Sequence, residues 1–293
     1  MVKYLYYFME RYVSKLRAMS IGGVIKYIKL SYLTEAKIPL PNIEIQKKIV
    51  EVLEKAQLLL EKRKAQIEAL DQLTQSVFLE MFGDPIFNPR NYKTILLKDL
   101  CIKISGGGTP SKSKSEYYMG EIPWVTPKDM KKILIDDSLD HITEKAVENS
   151  SAKIIPKNSV LMVIRSGILK KKIPLAINTK EVTINQDMKA FIVNEELLKP
   201  EYLLYFFIFY QRKLLSKVRS VTADNLDFNQ IKKIAVPVPE IQYQNQFSSF
   251  FYNVNKMKNK QQEQLYLLES NFQSLMQRAF KGELFTEQKV SNL

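Results

Sequence analysis

One short segment occurs twice in this chain of 293 residues, at positions 198 residues apart. Residues 37–46 read KIPLPNIEIQ and residues 235–244 read AVPVPEIQYQ, and each is followed by about forty residues with almost no glycine or proline. The register continues upstream without a gap through the pairs Tyr4/Tyr202, Tyr7/Tyr205 and Phe8/Phe206. Solenoid and propeller repeats are only about 20 to 50 residues long. Each repeat unit here must therefore be a whole domain with its connector.

Each copy of this segment leads into a long stretch with helical periodicity. In residues 44–82 apolar side chains recur at steps of three and four, close to a heptad pattern, until Gly83 and Pro85 end the helix. Residues 242–281 repeat the pattern, and each helix would be roughly 58 Å long. A helix with one apolar stripe must bury it, so we expect the two helices to pair with each other, antiparallel. The alternative is that each helix packs on its own neighbouring domain.

Residues 86–235 show a different pattern, in which short β-like runs alternate with turns. Helices are expected at about 127–132, 143–149 and 200–218. The predicted strand runs are YKTILLKDLCIKIS, EIPWVTP, AKIIPKNSVLMVIRSG, IPLAINT and MKAFIVNEE, with IKKIAVPVP as an exit strand. The predicted fold class is therefore α+β, with one mixed α/β domain and two long helices that pair as an antiparallel coiled coil.

The charge indicates a polyanionic partner. The formal net charge is +13, and residues 86–235 hold 25 Lys and Arg against 16 Asp and Glu, a net of +9. Nucleic acid and an anionic membrane surface are the two partners that such a balance favours. The longest apolar run, at 202–210, is far shorter than the roughly 20 residues of a membrane span. The N-terminus lacks the cleavage pattern of a signal peptide, so we expect a cytoplasmic protein with no membrane contact.

Residues 105–118, SGGGTPSKSKSEYY, form a glycine-rich loop. The loop lacks the Gly-Lys-Ser/Thr motif of a phosphate-binding loop, which argues against nucleotide binding. Its polar side chains can donate hydrogen bonds to DNA, and its glycines allow close backbone approach. A plain connecting loop is the alternative. The candidate DNA contacts in this loop are Thr109, Ser111, Lys112, Lys114 and Tyr117.

A second basic segment, VIRSGILKKKIP at 163–174, follows a predicted strand. Three consecutive lysines are usually a solvated turn, but beside an arginine in the most basic part of the chain they are candidates for phosphate binding. Arg165 could instead read guanine, because its planar fork matches O6 and N7. The candidate contacts here are Arg165, Ser166, Lys170, Lys171 and Lys172.

Three more polar residues lie at the ends of predicted strands. Asn185 and Gln186 carry amides that could bind adenine or could stabilise a turn. Lys128 follows the strand that contains Trp124 and is expected to be exposed. Trp124 itself lies between apolar residues, which favours a place in the core over a platform for base stacking.

The sequence offers little for catalysis. Cys101 is the single cysteine and His141 the single histidine, so one chain forms neither a disulfide nor a Cys/His zinc site. No nucleophile motif lies near His141, and no Asp/Asn-Pro-Pro-Tyr/Phe motif for adenine methylation is present. We therefore predict neither a catalytic residue nor a metal site. A standalone nuclease and a coiled-coil adaptor for another anionic surface are the alternatives.

Four segments of this sequence, taken together, resemble the specificity subunit of type I restriction-modification systems. They are the loop at 105–118 with EIPWVTPKDM, the segment LMVIRSGILKKKIPLAINTKEVTINQDMKAF, PEYLLYFF, and the doubled IPLP/VPVP entrance to a long helix. In that family two target-recognition domains alternate with two helical regions, which form an antiparallel spacer, and each domain reads half of a bipartite DNA target. The resemblance implies methyltransferase and restriction subunits as partners. Those partners would bind S-adenosylmethionine, ATP and Mg²⁺, and this chain would bind none of them.

The family pattern divides the chain into five parts. Residues 1–40 would be the end of a first recognition domain, 41–85 spacer helix 1, 86–240 a complete recognition domain, 241–285 spacer helix 2, and 286–293 a polar tail. The family has two complete recognition domains where this sequence has one. We therefore hypothesise a half-length subunit that pairs with a second copy or another fragment, and two identical halves would read a symmetric target with a gap. The alternative is a truncated product that folds without assembling.

Overall fold

The computed structural model describes residues 2–21, 26–216 and 225–285. The chain divides into two compact units: the first comprises residues 1–72 and 255–293, and the second comprises residues 73–254. The predicted tail at 286–293 and the end of the helix predicted at 200–218 lie outside the described residues.

Eight α-helices are found among the described residues. They are α1 (Val2–Ala18), α2 (Ser31–Thr34), α3 (Ile43–Phe82), α4 (Leu97–Leu100), α5 (Glu144–Glu148), α6 (Pro200–Leu215), α7 (Phe228–Ile231) and α8 (Ile241–Phe280). Two short 3-10 helices cover Ser115–Tyr118 and Gly167–Lys170. None of the described helices is long and apolar enough to cross a membrane.

All the strands found in the described ranges belong to the second unit. They are β1 (Thr94–Leu96), β2 (Cys101–Gly106), β3 (Ile122–Val125), β4 (Leu134–Ile135), β5 (His141–Ile142), β6 (Val160–Val163), β7 (Leu175–Asn178), β8 (Thr183–Ile184), β9 (Met188–Val193) and β10 (Ala235–Pro237). They form a five-stranded sheet in the order β2-β9-β6-β7-β4, a three-stranded sheet β5-β3-β8 and a pair β1-β10. This mixture of helices and sheets confirms the predicted α+β class.

In the first unit, the beginning of α3 and the end of α8 pack against α1. Their shared core consists of Tyr4, Tyr7, Phe8, Ile49, Leu53, Leu60, Phe272, Met276, Ala279 and Phe280. Lys64 contacts Glu269 at 3.0 Å, and Asp71, farther along α3, contacts Lys258, earlier along α8, at 2.6 Å. The two long helices therefore run antiparallel, which confirms the predicted pairing.

In the second unit, β9 is buried on both faces because successive side chains of a strand point in opposite directions. Phe191 and Val193 face the core around α6, where the Phe191 and Phe207 rings lie 5.3 Å apart. Met188 and Ala190 face a second core with residues of β3 and β8. The end of α3 and the beginning of α8 join the first of these cores, where Phe78 packs edge-on against Phe247 at 5.3 Å.

The repeat in the sequence is also a repeat of contacts inside the two units. Tyr4 donates a hydrogen bond to the carbonyl oxygen of Pro39 at 2.9 Å, and Tyr202 donates the equivalent bond to Pro237 at 2.8 Å. The amides of Gln46 and Gln244 likewise donate to Pro41 and Pro239, each at 2.8 Å. Since every partner is displaced by the same 198 residues, the two segments enter their helices in the same way.

Two elements differ from the sequence prediction. The run YKTILLKDLCIKIS is interrupted by α4, because Leu97 and Leu100 are both fully buried and the three-residue spacing of a helical turn places them on one side. The helix predicted at 127–132 is wrong. Asp129 accepts hydrogen bonds from the backbone and hydroxyl of Thr126 and from the backbone of Leu139, so its carboxylate holds a turn there.

Candidate nucleic-acid interface

The glycine-rich loop is held against the body of the second unit. A Cβ built on Gly107 would lie 2.1 Å from the carbonyl oxygen of Ile184, and one on Gly108 would lie 2.2 Å from Oγ of Ser151. The backbone N–H of Gly108 also donates to the Ile184 carbonyl at 3.0 Å. These glycines therefore allow close approach of the protein's own backbone, a role that the sequence did not reveal. The polar residues that follow, Ser111, Lys112 and Lys114, are exposed.

The turn at residues 185–187 connects this loop to the strands. The amide of Asn185 donates to a carboxylate oxygen of Asp187 at 3.1 Å, and the Asp187 N–H donates back to the Asn185 side chain at 3.1 Å. Asn185 is buried, so its amide stabilises the turn. Gln186 is exposed and accepts a hydrogen bond from the hydroxyl of Thr109. Two of the predicted segments therefore meet at this turn.

Arg165 is attached to the same turn by an ion pair. Its Nε and one terminal nitrogen each lie 2.6 Å from Oδ1 of Asp187, while about half of the arginine side chain stays exposed (48%). A guanidinium carries five N–H donors, so the remaining ones are free of this carboxylate. Three segments that are distant in sequence thus meet at the 185–187 turn. The loop contacts it through Thr109 and Gln186, and the segment after β6 contacts it through Arg165 and Asp187.

Of the other predicted contacts, four lysines are exposed, and Ser166 and Tyr117 make contacts within the protein. Ser166 accepts a hydrogen bond from the Ile168 backbone and so caps the short 3-10 helix at Gly167–Lys170. The side chains of Lys128, Lys170, Lys171 and Lys172 are exposed. Tyr117 is only 2% exposed, and its hydroxyl accepts a hydrogen bond from Lys114 at 3.1 Å. The Tyr117 ring is therefore part of a core and is not available for DNA contact in this structure. Of this pair, only Lys114 is exposed.

Trp124 lies in a small core with Tyr117 and Ile142. Its indole N–H donates to the carbonyl oxygen of Gly108 at 3.0 Å, and its ring packs edge-on against Tyr118 at 5.7 Å. The prediction of a core position is confirmed. Trp124 also holds the glycine-rich loop in place, because its indole N–H binds the carbonyl oxygen of Gly108, the last of the three consecutive glycines.

The single histidine and the single cysteine each have surroundings typical of a residue with a structural role. Nε2 of His141 lies 2.7 Å from Asp137, whose pKa is lowered by the Ser138 backbone N–H and by this histidine. No group of three or more potential metal ligands occurs in the described parts of the chain. Burial raises the pKa of the Cys101 thiol to about 12.

We expect Cys101 to react slowly with a disulfide reagent at about pH 8, because the thiolate is the nucleophile and burial disfavours it. In the unfolded chain the thiol returns to an ordinary pKa of about 8.5, so modification in concentrated urea should be at least about tenfold faster. As the pH rises above that value the unfolded chain loses its proton first, so this group lowers the free energy of unfolding in alkali. Equal rates in native and unfolded protein would contradict the raised pKa of this partly buried thiol.

The chain matches the family described as Type I restriction modification DNA specificity domain over residues 2–69 and 89–267. These segments make up most of the sequence, and the chain belongs to this family. The two matched segments end 198 residues apart, the same offset as the sequence repeat.

Two curated relatives show how much of a specificity subunit the chain represents. It is 32% identical over 254 residues to the Type I restriction enzyme EcoR124I/EcoR124II specificity subunit of Escherichia coli, covering 83% of this chain and 61% of that one. It is 31% identical over 186 residues to the MjaIX specificity subunit of Methanocaldococcus jannaschii, covering 60% and 41%. The chain spans less than two thirds of the length of these relatives.

The fold is shared with solved structures. The S subunit of a type I restriction-modification system from M. genitalium superposes with a TM-score of 0.59 at 17% identity, covering 95% of this chain and 72% of that one. A chain from a study of complex assembly and conformational transition of the type I system gives the same TM-score and identity, with 96% and 71% coverage. At this identity the similarity is one of fold.

Proposed function

We propose that the chain recognises a double-stranded DNA sequence for a type I restriction-modification complex, with residues 86–240 as the reading domain and the long helices as the spacer. The observation that carries this proposal is that Thr109 and Arg165 contact the same turn, at Gln186 and Asp187 respectively, within a domain whose net charge is strongly positive. The Gln186 amide and the Arg165 guanidinium are groups that match base edges, and the predicted lysine contacts of the same domain are exposed. Methylation and cleavage would then be performed by partner subunits that bind S-adenosylmethionine, ATP and Mg²⁺.

The domain boundaries of this proposal follow the repeat. Residues 41–85 and 241–285 would form the two spacer helices, and residues 1–40 would be the end of another recognition domain. The compact units divide differently, because each unit takes part of both long helices. The spacer would then be built into both units and would not be a separate body.

We further propose that a second recognition domain completes the working subunit. In the second unit α6 covers the five-stranded sheet, and its Leu203 is fully buried. The equivalent residue of α1, Leu5, is 43% exposed, and Tyr6 beside it is also exposed. In the repeat, these two exposed residues of α1 correspond to Leu203 and Leu204 of α6, which are both fully buried. A second copy of the chain or another specificity polypeptide would provide the missing domain.

The mass of the assembly tests this proposal. Native mass measurement of the purified chain with its methyltransferase subunit should give a complex that contains two specificity polypeptides. A strict monomer that ignores the methyltransferase would contradict the pairing and would favour a truncated product that folds without assembling.

Arg165→Ala should weaken DNA binding, by about 1–3 kcal/mol if the guanidinium reads guanine. If it binds a phosphate, the loss should be uniform across sequences and the magnitude of the salt slope should fall by about one. Arg165→Lys separates the two roles, since lysine keeps the charge but lacks the planar fork. Fluorescence anisotropy with labelled duplexes at several salt concentrations gives both quantities.

The matched control is Lys145→Ala, which removes one exposed charge from α5 outside the predicted contacts. Thermal unfolding of Arg165→Ala should accompany the assay, because Asp187 loses its ion-pair partner. Unchanged affinity and unchanged salt slope in a folded Arg165→Ala variant would remove this residue from the interface.

A further inference from the structure

Two lysine ammonium groups share one aromatic ring in the second unit. Nζ of Lys189, on β9, lies 4.9 Å from the centroid of the Phe228 ring, and Nζ of Lys232, just after α7, lies 5.1 Å from the same centroid. An aromatic face attracts an ammonium group, but two like charges held this close repel each other. Among the described residues no carboxylate forms an ion pair with either group.

Lys189 is partly buried. Burial lowers its pKa, and repulsion from Lys153 and Lys232 lowers it further. Its neighbours come from separate parts of the chain: Lys153 follows α5, and Phe228 belongs to α7. Three positive side chains are thus placed together at a cost to the folded protein, and neither Lys189 nor Lys232 forms an ion pair with a carboxylate of the described residues. We call Lys153, Lys189 and Lys232 the lysine cluster.

The lysine cluster adjoins the candidate interface. Lys189 pairs in register with Gly106 of β2, and a Cβ built on Gly106 would lie only 2.7 Å from the lysine Nζ. Gly106 is the first glycine of the glycine-rich loop. On another side, Asn225 forms a β-bridge with Arg165 three residues before Phe228. The cluster therefore lies between the glycine-rich loop and the strand end that carries Arg165.

We propose that the lysine cluster binds a backbone phosphate of duplex DNA, with Phe228 holding two of the ammonium groups in position. This inference rests on the proposed function and adds to it residues that the sequence did not single out. A phosphate would neutralise the repulsion, and each phosphate contact releases counterions from the duplex. Arg165 already has Asp187 as a counterion, whereas Lys189 and Lys232 have no ion-pair partner within the part of the chain that the structure describes. The contact would fix the register of the domain on the duplex, while base reading would be left to the neighbouring loop.

The test uses the full chain and the double variant Lys189→Gln/Lys232→Gln. Affinity for a labelled duplex should fall roughly tenfold for each lysine removed, the size of one charge-assisted hydrogen bond. The loss should be the same for every duplex, and the magnitude of the salt slope should fall by about two. Without DNA the variant should unfold at a temperature no lower than that of the wild type, because the repulsion is gone.

Two matched variants make this test specific. Lys180→Gln removes one exposed charge near Asp137 and should leave affinity and slope nearly unchanged. Gly106→Ala keeps every charge but forces the flexible end of Lys189 to move, so affinity should fall while the slope stays close to the wild-type value.

The outcomes separate the inference from the proposed function. A wild-type chain that binds no duplex at all would overturn both. Duplex binding with the same affinity and slope in the wild type and the double variant would overturn the lysine cluster alone. Thermal unfolding with added inorganic phosphate is the remaining measurement. If it stabilised the wild type but not the double variant while duplex binding was identical, the lysine cluster would be a site for free phosphate and the DNA assignment would be wrong.

Discussion

Replacing Phe78 by alanine should lower the free energy of unfolding of the second unit by about 3–5 kcal/mol, the usual cost of truncating a buried phenylalanine. Phe78 is fully buried near the end of α3. Its ring lies within 6 Å of five others, those of Phe82, Tyr202, Tyr205, Phe209 and Phe247. Alanine would leave a cavity among rings that come from three different helices, and such a site cannot collapse easily.

The single tryptophan makes the measurement direct, since Trp124 lies in the second unit and its fluorescence reports the unfolding of that unit. Leu79→Ala on the same helix is the matched control. Leu79 is partly exposed, so its truncation should cost less than about 1 kcal/mol. Equal effects of the two substitutions in urea titrations would contradict the proposed role of the aromatic cluster in packing the end of α3 against α6 and the beginning of α8.

Gly107→Ala should cost about 1–3 kcal/mol and should also reduce DNA affinity. The new methyl group would meet the carbonyl oxygens of Ile184 and Asn185, at 2.1 and 2.2 Å, and backbone atoms of a strand end move less easily than side chains. The glycine-rich loop would have to move away from the 185–187 turn. The hydrogen bond between Thr109 and Gln186 would then be lost, and the glycine-rich loop would no longer be held beside Arg165 and the 185–187 turn.

Gly167→Ala is the control for this substitution. It makes the same chemical change in the neighbouring basic segment, but a Cβ at Gly167 meets nothing within 4 Å. Its effect on stability should stay within about 0.5 kcal/mol. If both variants bound the duplex as the wild type does and unfolded at its temperature, the glycine-rich loop would not be part of a packed interface.

The long helices could be predicted closely because their signals are local. The predicted helix 44–82 is observed as α3 (Ile43–Phe82), and 242–281 is observed as α8 (Ile241–Phe280). An unbroken apolar stripe and a terminal glycine are enough to place such a helix. Gly83 has a φ of 76°, a left-handed conformation that favours glycine after a helix. The repeat then made antiparallel pairing the simplest way to bury both stripes.

The proposed reading domain, residues 86–240, is harder to predict from the sequence because its contacts are between residues far apart in sequence. The ion pair between Arg165 and Asp187 joins residues 22 positions apart, and no local pattern predicts it. The burial of Tyr117 depends on α5 and on β3 and β5 packing around it. Lys189 reads as one polar residue in an alternating strand. Lys189 and Lys232 contact the same ring, that of Phe228, only because α7 packs near β9 in the folded chain.

The DNA methylation of cells that express this chain together with its methyltransferase subunit tests the central claim most directly. Cells with the methyltransferase alone are the control. The account predicts adenine methylation at one two-part DNA motif with an unread gap, a symmetric motif if the chain pairs with itself, and its disappearance in the control. A methylation pattern that is the same with and without this chain, or one restricted to a continuous short motif, would contradict the account.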